Sequence, residues 1–242
     1  MYSLVFLIAL VSLNTIGYTI GYALSPYYAK FSGDEFTDPR YRPSDWETWS
    51  YHDMHEHSCE DYNNDHPVPS LEYWNFLRTK YIEVVDPSYK FDDKVPPTQG
   101  YSTDEKGTPP FYYAKVSPGK GRGLYASRDI KKGEVFDDGS YVGTIFPDGM
   151  SYRRFIFSLP KDMACDATMW TWTQQLEEGG PFRIVMAFEI SALLNGSATE
   201  FNAVAENGFS TVDIATRDIK KDEELIVDYS IYPNRWRAVG LG

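Results

Sequence analysis

The hydrophobic pattern predicts one clear helix in the first half of the chain. Between Ser70 and Val85 the apolar residues recur at three- and four-residue steps, which is the spacing of one helical face. Ser70 is a suitable N-cap residue, and Asp86-Pro87 ends the pattern. These features predict a helix over residues 70–85 that packs on the domain that follows it.

From Phe111 onwards, short apolar runs alternate with Gly, Pro and Asp, a pattern typical of a β-rich domain. Residues 181–194 fit either a strand or a helix, with strand-forming residues first and a helix-like end. The predicted fold class is mainly β, with an N-terminal extension that carries one helix. Strands are predicted at residues 112–116, 124–127, 135–136, 140–145, 154–159, 202–205, 210–215 and 224–227.

The N-terminus suggests a targeting segment, because the first 29 residues carry no charged side chain. Residues 4–13 form an apolar run, and Gly21-Tyr22-Ala23 has the small-x-small form of a signal-peptidase site. Residues 2–24 are also long enough to span a membrane as a helix. We therefore expect residues 1–24 to be a signal peptide or a membrane anchor, which places the protein in the secretory pathway or on a membrane.

Composition limits the classes of partner. The net charge is −12, whereas constitutive nucleic-acid binding needs a basic face that neutralises phosphates. This charge suits basic protein partners through long-range steering, or it serves solubility alone. Aromatic residues make up 16% of the 242 residues, which is ample for a packed core.

All 4 histidines and one of the 2 cysteines precede the predicted helix. Residues 25–65 have no clear periodicity, which predicts an irregular arm. The histidines in and beside it are either ligands of a metal site or part of a polar surface loop. Cys59 and Cys165 either form one disulfide in an oxidising compartment or remain two separate thiols. The candidate metal ligands are His52, His55, His57, Cys59 and His66.

Two segments about ninety residues apart carry nearly the same sequence. Arg128-Asp129-Ile130-Lys131-Lys132 and Arg217-Asp218-Ile219-Lys220-Lys221 each follow a predicted strand and lead into another. Alternating glycines precede the first segment, Asn195-Gly196-Ser197 lies between the two, and Glu224-Leu225-Ile226-Val227-Asp228-Tyr229 follows the second. Over residues 113–232 these motifs resemble the SET domain, the fold of S-adenosylmethionine-dependent protein-lysine methyltransferases.

The resemblance implies several small sheets and a C-terminal segment threaded through a loop of the preceding chain, an exception to the usual rule against knots. Residues 111–232 would form the SET-like domain, after an N-terminal extension over 25–110 and before a C-terminal tail over 233–242. It implies catalytic roles for Tyr229 and Tyr141, the latter in a Tyr-x-Gly motif. It implies S-adenosylmethionine as the cofactor, bound by Gly121, Arg122, Gly123, Asn195 and Gly196.

The resemblance also implies the activity, which is methylation of an exposed lysine on a protein or peptide. Desolvation in an aromatic channel would favour the uncharged, nucleophilic amine. The chain has Ala192, Gly196 and Ala198 where the family has Arg, His and Cys, and it has no cysteine after Cys165. A zinc-binding segment after the domain is therefore absent, and Tyr232 and Trp236 would close the channel. A catalytically degenerate SET domain that binds peptides or scaffolds a complex is the alternative.

Overall fold

A computed structural model describes residues 43–60, 66–92, 96–102, 110–139 and 143–242. None of the helices in these residues is long and apolar enough to cross a membrane, and the predicted signal peptide or anchor lies outside them. Short 3₁₀ helices occupy Trp46–Thr48, Ile190–Leu193, Tyr229–Ile231 and Trp236–Val239. The α-helices are α1 (Tyr51–Ser58), α2 (Leu71–Val84), α3 (Gly149–Ile156) and α4 (Lys161–Met169).

The strands form three small sheets, which confirms the predicted fold class. One sheet is the hairpin β1-β2, the second has the order β3-β9-β8-β10-β7, and the third has the order β4-β6-β5. The strands are β1 (Tyr112–Ser117), β2 (Gly121–Ala126), β3 (Val135–Asp138), β4 (Gly143–Phe146), β5 (Thr171–Gln175), β6 (Phe182–Ala187), β7 (Asn195–Gly196), β8 (Ala203–Ala205), β9 (Val212–Ala215) and β10 (Ile226–Val227).

The predicted helix at residues 70–85 is confirmed as α2. Its N-cap is Ser70, whose side chain accepts a hydrogen bond from the backbone of Tyr73 at 3.3 Å. Trp74 and Leu77 on its inner face are fully buried in one hydrophobic core with residues from all three sheets. The helix therefore packs on the β-rich part of the chain, as predicted.

Two predictions of local structure are wrong, and helix caps explain both. The irregular arm contains α1, which begins with a reciprocal pair of hydrogen bonds between Ser50 and Asp53 at 2.8 and 3.2 Å. The strand predicted at 154–159 overlaps the end of α3. Asp148 caps the first turn of this helix, and its residues Tyr152 and Phe155 are buried at helical spacing. Helix α4 and strand β5 were not predicted.

Helices α1 and α4 are joined by a disulfide between Cys59 and Cys165. This bond leaves Cys59 unavailable as a metal ligand, and His55 makes a 3.0 Å hydrogen bond to Thr168 instead. Within the described part of the chain, no group of three His, Cys, Asp or Glu residues is arranged to hold a metal ion. The histidine-rich segment is therefore, in part, a helix docked on α4.

The two similar segments bind each other. We call residues 128–134 the first repeat and residues 217–223 the second repeat. Ile130 and Ile219 exchange both of their backbone hydrogen bonds, each 2.9 Å long. In each repeat the aspartate accepts a hydrogen bond from a backbone N–H of the other repeat, at 3.0 Å in both directions. The repeated sequence therefore builds a single reciprocal interface.

The last strand of the chain lies between two earlier ones. Strand β10 pairs in parallel with β7 on one side, where Ile226 is opposite Asn195, and with β8 on the other. It follows both neighbours in sequence, so its place in the sheet agrees with the predicted threading of the C-terminal segment. This arrangement brings residues 195–202 next to residues 226–229.

Gly133→Ala is expected to destabilise the protein by about 1–2 kcal/mol, because Gly133 has a left-handed backbone with φ of 80°. Nothing lies within 4 Å of the added Cβ, so the loss would come from the backbone alone. Gly208→Ala is the matched control, because it also has open space but no positive φ. Equal unfolding midpoints in urea for Gly133→Ala and the wild type would contradict this account.

Candidate functional site

The pairing of β10 with β7 places Tyr229 directly over Gly196. A Cβ atom at Gly196 would overlap the aromatic ring of Tyr229, so only glycine fits beneath the ring in this position. The hydroxyl of Tyr229 donates a 2.7 Å hydrogen bond to the carbonyl of Leu194. Two predicted site residues that are 33 positions apart in the sequence are therefore in contact.

The Tyr229 hydroxyl stays protonated near neutral pH. Although 51% of the residue is exposed, desolvation at the hydroxyl and the nearby charge of Asp213 raise its pKa to about 12. A protonated hydroxyl keeps its lone pairs while donating to the Leu194 carbonyl. It can therefore orient a neighbouring group through hydrogen bonds, but it is a poor proton acceptor.

Asn195 joins the glycine-rich strand β2 to the second repeat. Its Nδ2 donates to the carbonyl of Arg122 at 2.8 Å and to Oε1 of Glu224 at 2.9 Å. A Cβ atom at Gly123 would lie 2.7 Å from Glu224 and 2.8 Å from Asn195, so this close approach requires glycine. Gly121 and Gly123 lie in strand β2, directly after a turn.

The side chain of Arg122 points to a buried carboxylate, with which it forms a two-pronged ion pair. Its guanidinium donates to Asp166 at 2.6 and 2.9 Å, and the two side chains are only 4% and 0% exposed. Tyr73 and His66 also bond to Asp166, at 2.6 and 3.0 Å. Burial raises the pKa of Asp166, but the hydrogen bonds from His66 and Arg122 outweigh this effect and hold it below the ordinary value. A ligand could therefore contact Arg122 only through its backbone.

Tyr229 also lines a cavity of about 280 Å³. Tyr232 is on its wall, in agreement with the sequence prediction, whereas Trp236 is not and stacks on Tyr51 at 3.7 Å between ring centroids. Tyr141 falls in residues 140–142, outside the described residues, so its predicted role stays a prediction. The aromatic and acidic residues of the wall are Trp170, Trp172, Tyr229, Tyr232, Asp137 and Asp213.

The two acidic residues of the cavity face each other across β3 and β9. Strand β3 contains a bulge, with Phe136 as the extra residue, and the bulge brings Asp137 opposite Asp213. Burial raises the pKa of Asp137 despite a 2.5 Å hydrogen bond from Tyr112. Burial and, secondarily, the charge of Asp137 hold the pKa of Asp213 well above its ordinary range.

Sequence reasoning did not find these acids or the two tryptophans. Aspartate is depleted in strands, so an aspartate between Val212 and Ile214 was the one available cue. The bulge that aligns the two carboxyl groups has no recognisable sequence pattern here. Their proximity follows only from the pairing of segments that are far apart in the chain.

The described residues fit a cofactor that has a charged amino-acid end and a sulfonium. Lys120 is 42% exposed and lies 3.4 Å from Glu224, so both signs of charge are available beside β2. The half-exposed ring of Tyr229 lies next to Asn195 and Gly196, and aromatic faces stabilise cationic groups. These charged and aromatic groups therefore suit S-adenosylmethionine.

The fold and the site together define a β-rich domain in which the last strand lies between two earlier strands, and Leu225, just before it, donates a 2.8 Å hydrogen bond to the glycine-rich strand β2. Residues 121–230 match the family model for the SET domain. No curated protein sequence matches the chain.

Solved structures provide weaker similarities. A candidate histone methyltransferase from Plasmodium falciparum is 17% identical, with a TM-score of 0.33, over 54% of this chain and 99% of that one. Polycomb repressive complex 2 of Chaetomium thermophilum, bound to GSK126, is 23% identical, with a TM-score of 0.33, over 56% and 16%. The ctPRC2 structure bound to S-adenosylmethionine is 21% identical, with a TM-score of 0.35, over 50% and 15%. The chain thus spans less than a fifth of the polycomb chains.

Asp213→Asn is expected to make the free energy of unfolding less dependent on pH. Unfolded Asp213 loses its proton near pH ~4, whereas in the folded protein its raised pKa keeps the proton at higher pH. The folded state then binds more protons, so stability falls as the pH rises above this value. The variant should lose that contribution, at most about 1.4 kcal/mol per pH unit.

Urea unfolding at several pH values measures this slope. Thr211→Val is the matched control, because it changes the same cavity wall without removing a titrating group. A wild-type slope in Asp213→Asn would show that Asp213 is not buried as a neutral acid.

Proposed function

We propose that this protein is an S-adenosylmethionine-dependent methyltransferase that acts on a lysine of a protein or peptide. The observation that carries the proposal is that Tyr229 contacts both Gly196 and the aromatic cavity. One face of its ring lies on Gly196, next to Asn195 and strand β2, and the residue also lines the aromatic cavity. A group bound at β2 and a side chain in the cavity would meet at this tyrosine.

The residues around β2 would hold the cofactor. S-adenosylmethionine, when bound, supplies a methyl group on a positively charged sulfur. The missing Cβ at Gly123 lets the side chains of Asn195 and Glu224 approach the strand, and Asn195 and Gly196 form the adjoining edge. Lys120 would attract a carboxylate, and the face of the Tyr229 ring would stabilise the positive charge.

Tyr229 would position the amine that accepts the methyl group. Methyl transfer is an in-line displacement, so the alignment of the reacting atoms provides much of the rate. The lone pairs of the Tyr229 hydroxyl and of the Leu194 carbonyl, 2.7 Å apart, offer two acceptors for the N–H groups of an amine. Loss of the hydroxyl would leave the amine less well aligned and the fold intact.

Calorimetric titration of the purified full chain with S-adenosylmethionine tests the proposed cofactor binding. We expect the wild type and Tyr229→Phe to bind it with similar affinity, because the hydroxyl bonds to Leu194 and not to strand β2. Methyl transfer to lysine-containing peptides, followed by mass spectrometry, should fall about a hundredfold in Tyr229→Phe. Tyr113→Phe is the matched control, because its hydroxyl contacts Asp222 at an exposed position.

Two outcomes separate this proposal from the alternative of a catalytically degenerate domain. Folded protein that binds no S-adenosylmethionine would refute the methyltransferase function and favour a domain that only binds peptides. The contact that supports this alternative is the Tyr229 ring over Gly196, where the family has a histidine. Binding without transfer to any lysine peptide would also favour it.

We further propose that the protein resides in an oxidising compartment, which the Cys59–Cys165 disulfide supports. This agrees with the signal peptide or anchor expected at residues 1–24. The bond closes a loop with a sequence separation of 106 residues, and such cross-links stabilise mainly by restricting the unfolded chain.

Reduction of the disulfide is expected to lower the free energy of unfolding by about 4 kcal/mol. Denaturant unfolding with and without a thiol reductant measures the change, and a Cys59→Ser, Cys165→Ser double variant that is insensitive to the reductant is the control. Mass spectrometry of the protein from its own cells tests the compartment. Free thiols at both positions in that material would contradict it.

A further inference from the structure

The long side chain of Arg122 lies between two glycines in strand β2. Gly121 has a left-handed backbone with φ of 79°, and glycine has more backbone freedom than any other residue. Pairing with β1 ends at Gly121, so the ladder restrains this segment only from one direction. The carbonyl of Arg122 nevertheless accepts a 2.8 Å hydrogen bond from Asn195, at the edge of the proposed cofactor site. A further restraint must therefore fix the backbone of residues 121–123.

The side chain of Arg122 provides that restraint. Its guanidinium donates to the two oxygens of Asp166 at 2.6 and 2.9 Å, and to the carbonyl of Pro67 at 3.3 Å. It also lies 5.2 Å from the ring centroid of Trp170, which follows α4. A planar guanidinium that binds a carboxylate through two parallel hydrogen bonds is fixed in direction as well as in distance.

Other elements of the core hold Asp166 in place. Tyr73 of α2 donates to its carboxylate at 2.6 Å, and His66 bonds to it at 3.0 Å. The preceding residue, Cys165, is joined to α1 by the disulfide. Asp166 is 0% exposed, so no ligand reaches it directly. Strand β2 is thus tied, through one side chain, to a fixed point in the core.

Stability alone does not account for the Arg122–Asp166 pair. Removing two charges from water costs free energy that their attraction returns only in part, and a well-packed apolar pair is often equally stable or more stable. A two-pronged pair differs from an apolar pair because it permits a single arrangement of the two segments. The pair is therefore better suited to fixing the position of β2 than to adding stability.

We propose that Asp166 is a positioning residue for the cofactor. Acting through Arg122, it holds the backbone of residues 121–123 in the place where S-adenosylmethionine binds, and it touches neither the cofactor nor the reacting atoms. The identity of the ligand rests on the proposed function. The restraint on strand β2 does not.

The test uses a double variant, Arg122→Met with Asp166→Asn, because removing one partner alone would leave a buried charge unpaired and unfold much of the protein. Methionine is unbranched and fills the space beside Trp170. The amide of Asp166→Asn still offers an oxygen to the Tyr73 hydroxyl and an N–H to His66. We expect a urea unfolding midpoint close to that of the wild type.

Arg153→Met is the matched control. Arg153 is also a buried arginine, 7% exposed, and its guanidinium donates to the carbonyls of Trp49 and Gly240 at 2.6 and 2.9 Å. None of these contacts involves strand β2. This variant should lower the unfolding midpoint and leave S-adenosylmethionine affinity unchanged.

Hydrogen exchange, followed by mass spectrometry, measures the restraint without any ligand. In the double variant the amides of β2, residues 121–126, should exchange about tenfold faster, because the strand opens locally more often. The amides of β6, residues 182–187, belong to another sheet and should exchange as in the wild type. Unchanged exchange in β2 would overturn the proposal.

Calorimetric titration and kinetics with S-adenosylmethionine measure the consequence for the cofactor. We expect the dissociation constant and the KM for S-adenosylmethionine to rise about tenfold in the double variant, the ratio for one lost hydrogen bond, with kcat at saturating cofactor within about twofold of the wild type. A purely structural role would instead lower kcat through a smaller folded fraction and leave KM unchanged.

The outcomes separate this inference from the proposed function. Wild-type affinity in the double variant, or an equal loss of affinity in Arg153→Met, would overturn the positioning role of Asp166. A wild type that binds no S-adenosylmethionine would refute the proposed function together with the cofactor role of Asp166. Hydrogen exchange would then still decide whether the ion pair fixes strand β2.

Discussion

The pairing of strand β10 on both of its edges is the constraint on which the candidate site depends. The strand has only two residues, so its own ladder is short, and the side chain of Asn202 completes it. Asn202 is buried, accepts a 2.9 Å hydrogen bond from the backbone of Ile226, and donates a 2.8 Å bond to the carbonyl of Glu224. Tyr229 follows two residues after the strand, and its position over Gly196 is therefore a direct result of this pairing.

Two buried carboxyl groups, those of Asp166 and Asp213, differ in their hydrogen bonding. The carboxylate of Asp166 has a hydrogen-bond partner for each oxygen, and a buried pair satisfied in this manner holds the surrounding elements in one arrangement. Through Arg122 and His66, Asp166 joins strand β2 to the segment before α2. In the described part of the chain, Oδ1 of Asp213 has no hydrogen-bond partner, and this residue lines the cavity wall. Native proteins satisfy nearly all of their buried polar atoms, so this oxygen is an exception among the described residues.

The sequence predicted those parts of the fold that depend on local pattern. Helix α2 has both a cap and a continuous apolar face, and the motifs around Asn195 and Tyr229 lie next to each other through the pairing of β7 with β10. Helix α3 was missed because its apolar residues also fit a short strand, and the cap at Asp148 was the deciding feature. The disulfide and the acid pair could not be predicted, because each joins distant segments whose contact depends on the completed fold.

The reciprocal interface of the two repeats has a consequence for biogenesis. Each repeat satisfies backbone groups of the other across 86 to 92 residues of intervening chain. While the chain leaves the ribosome, the first repeat emerges with no counterpart, and strand β10 is not yet made. The central sheet can therefore assemble only after translation has passed the second repeat, through contacts of high sequence separation that form slowly. Until then, the strands of this sheet that have already emerged lack their partners, and unpaired strand edges are prone to aggregation.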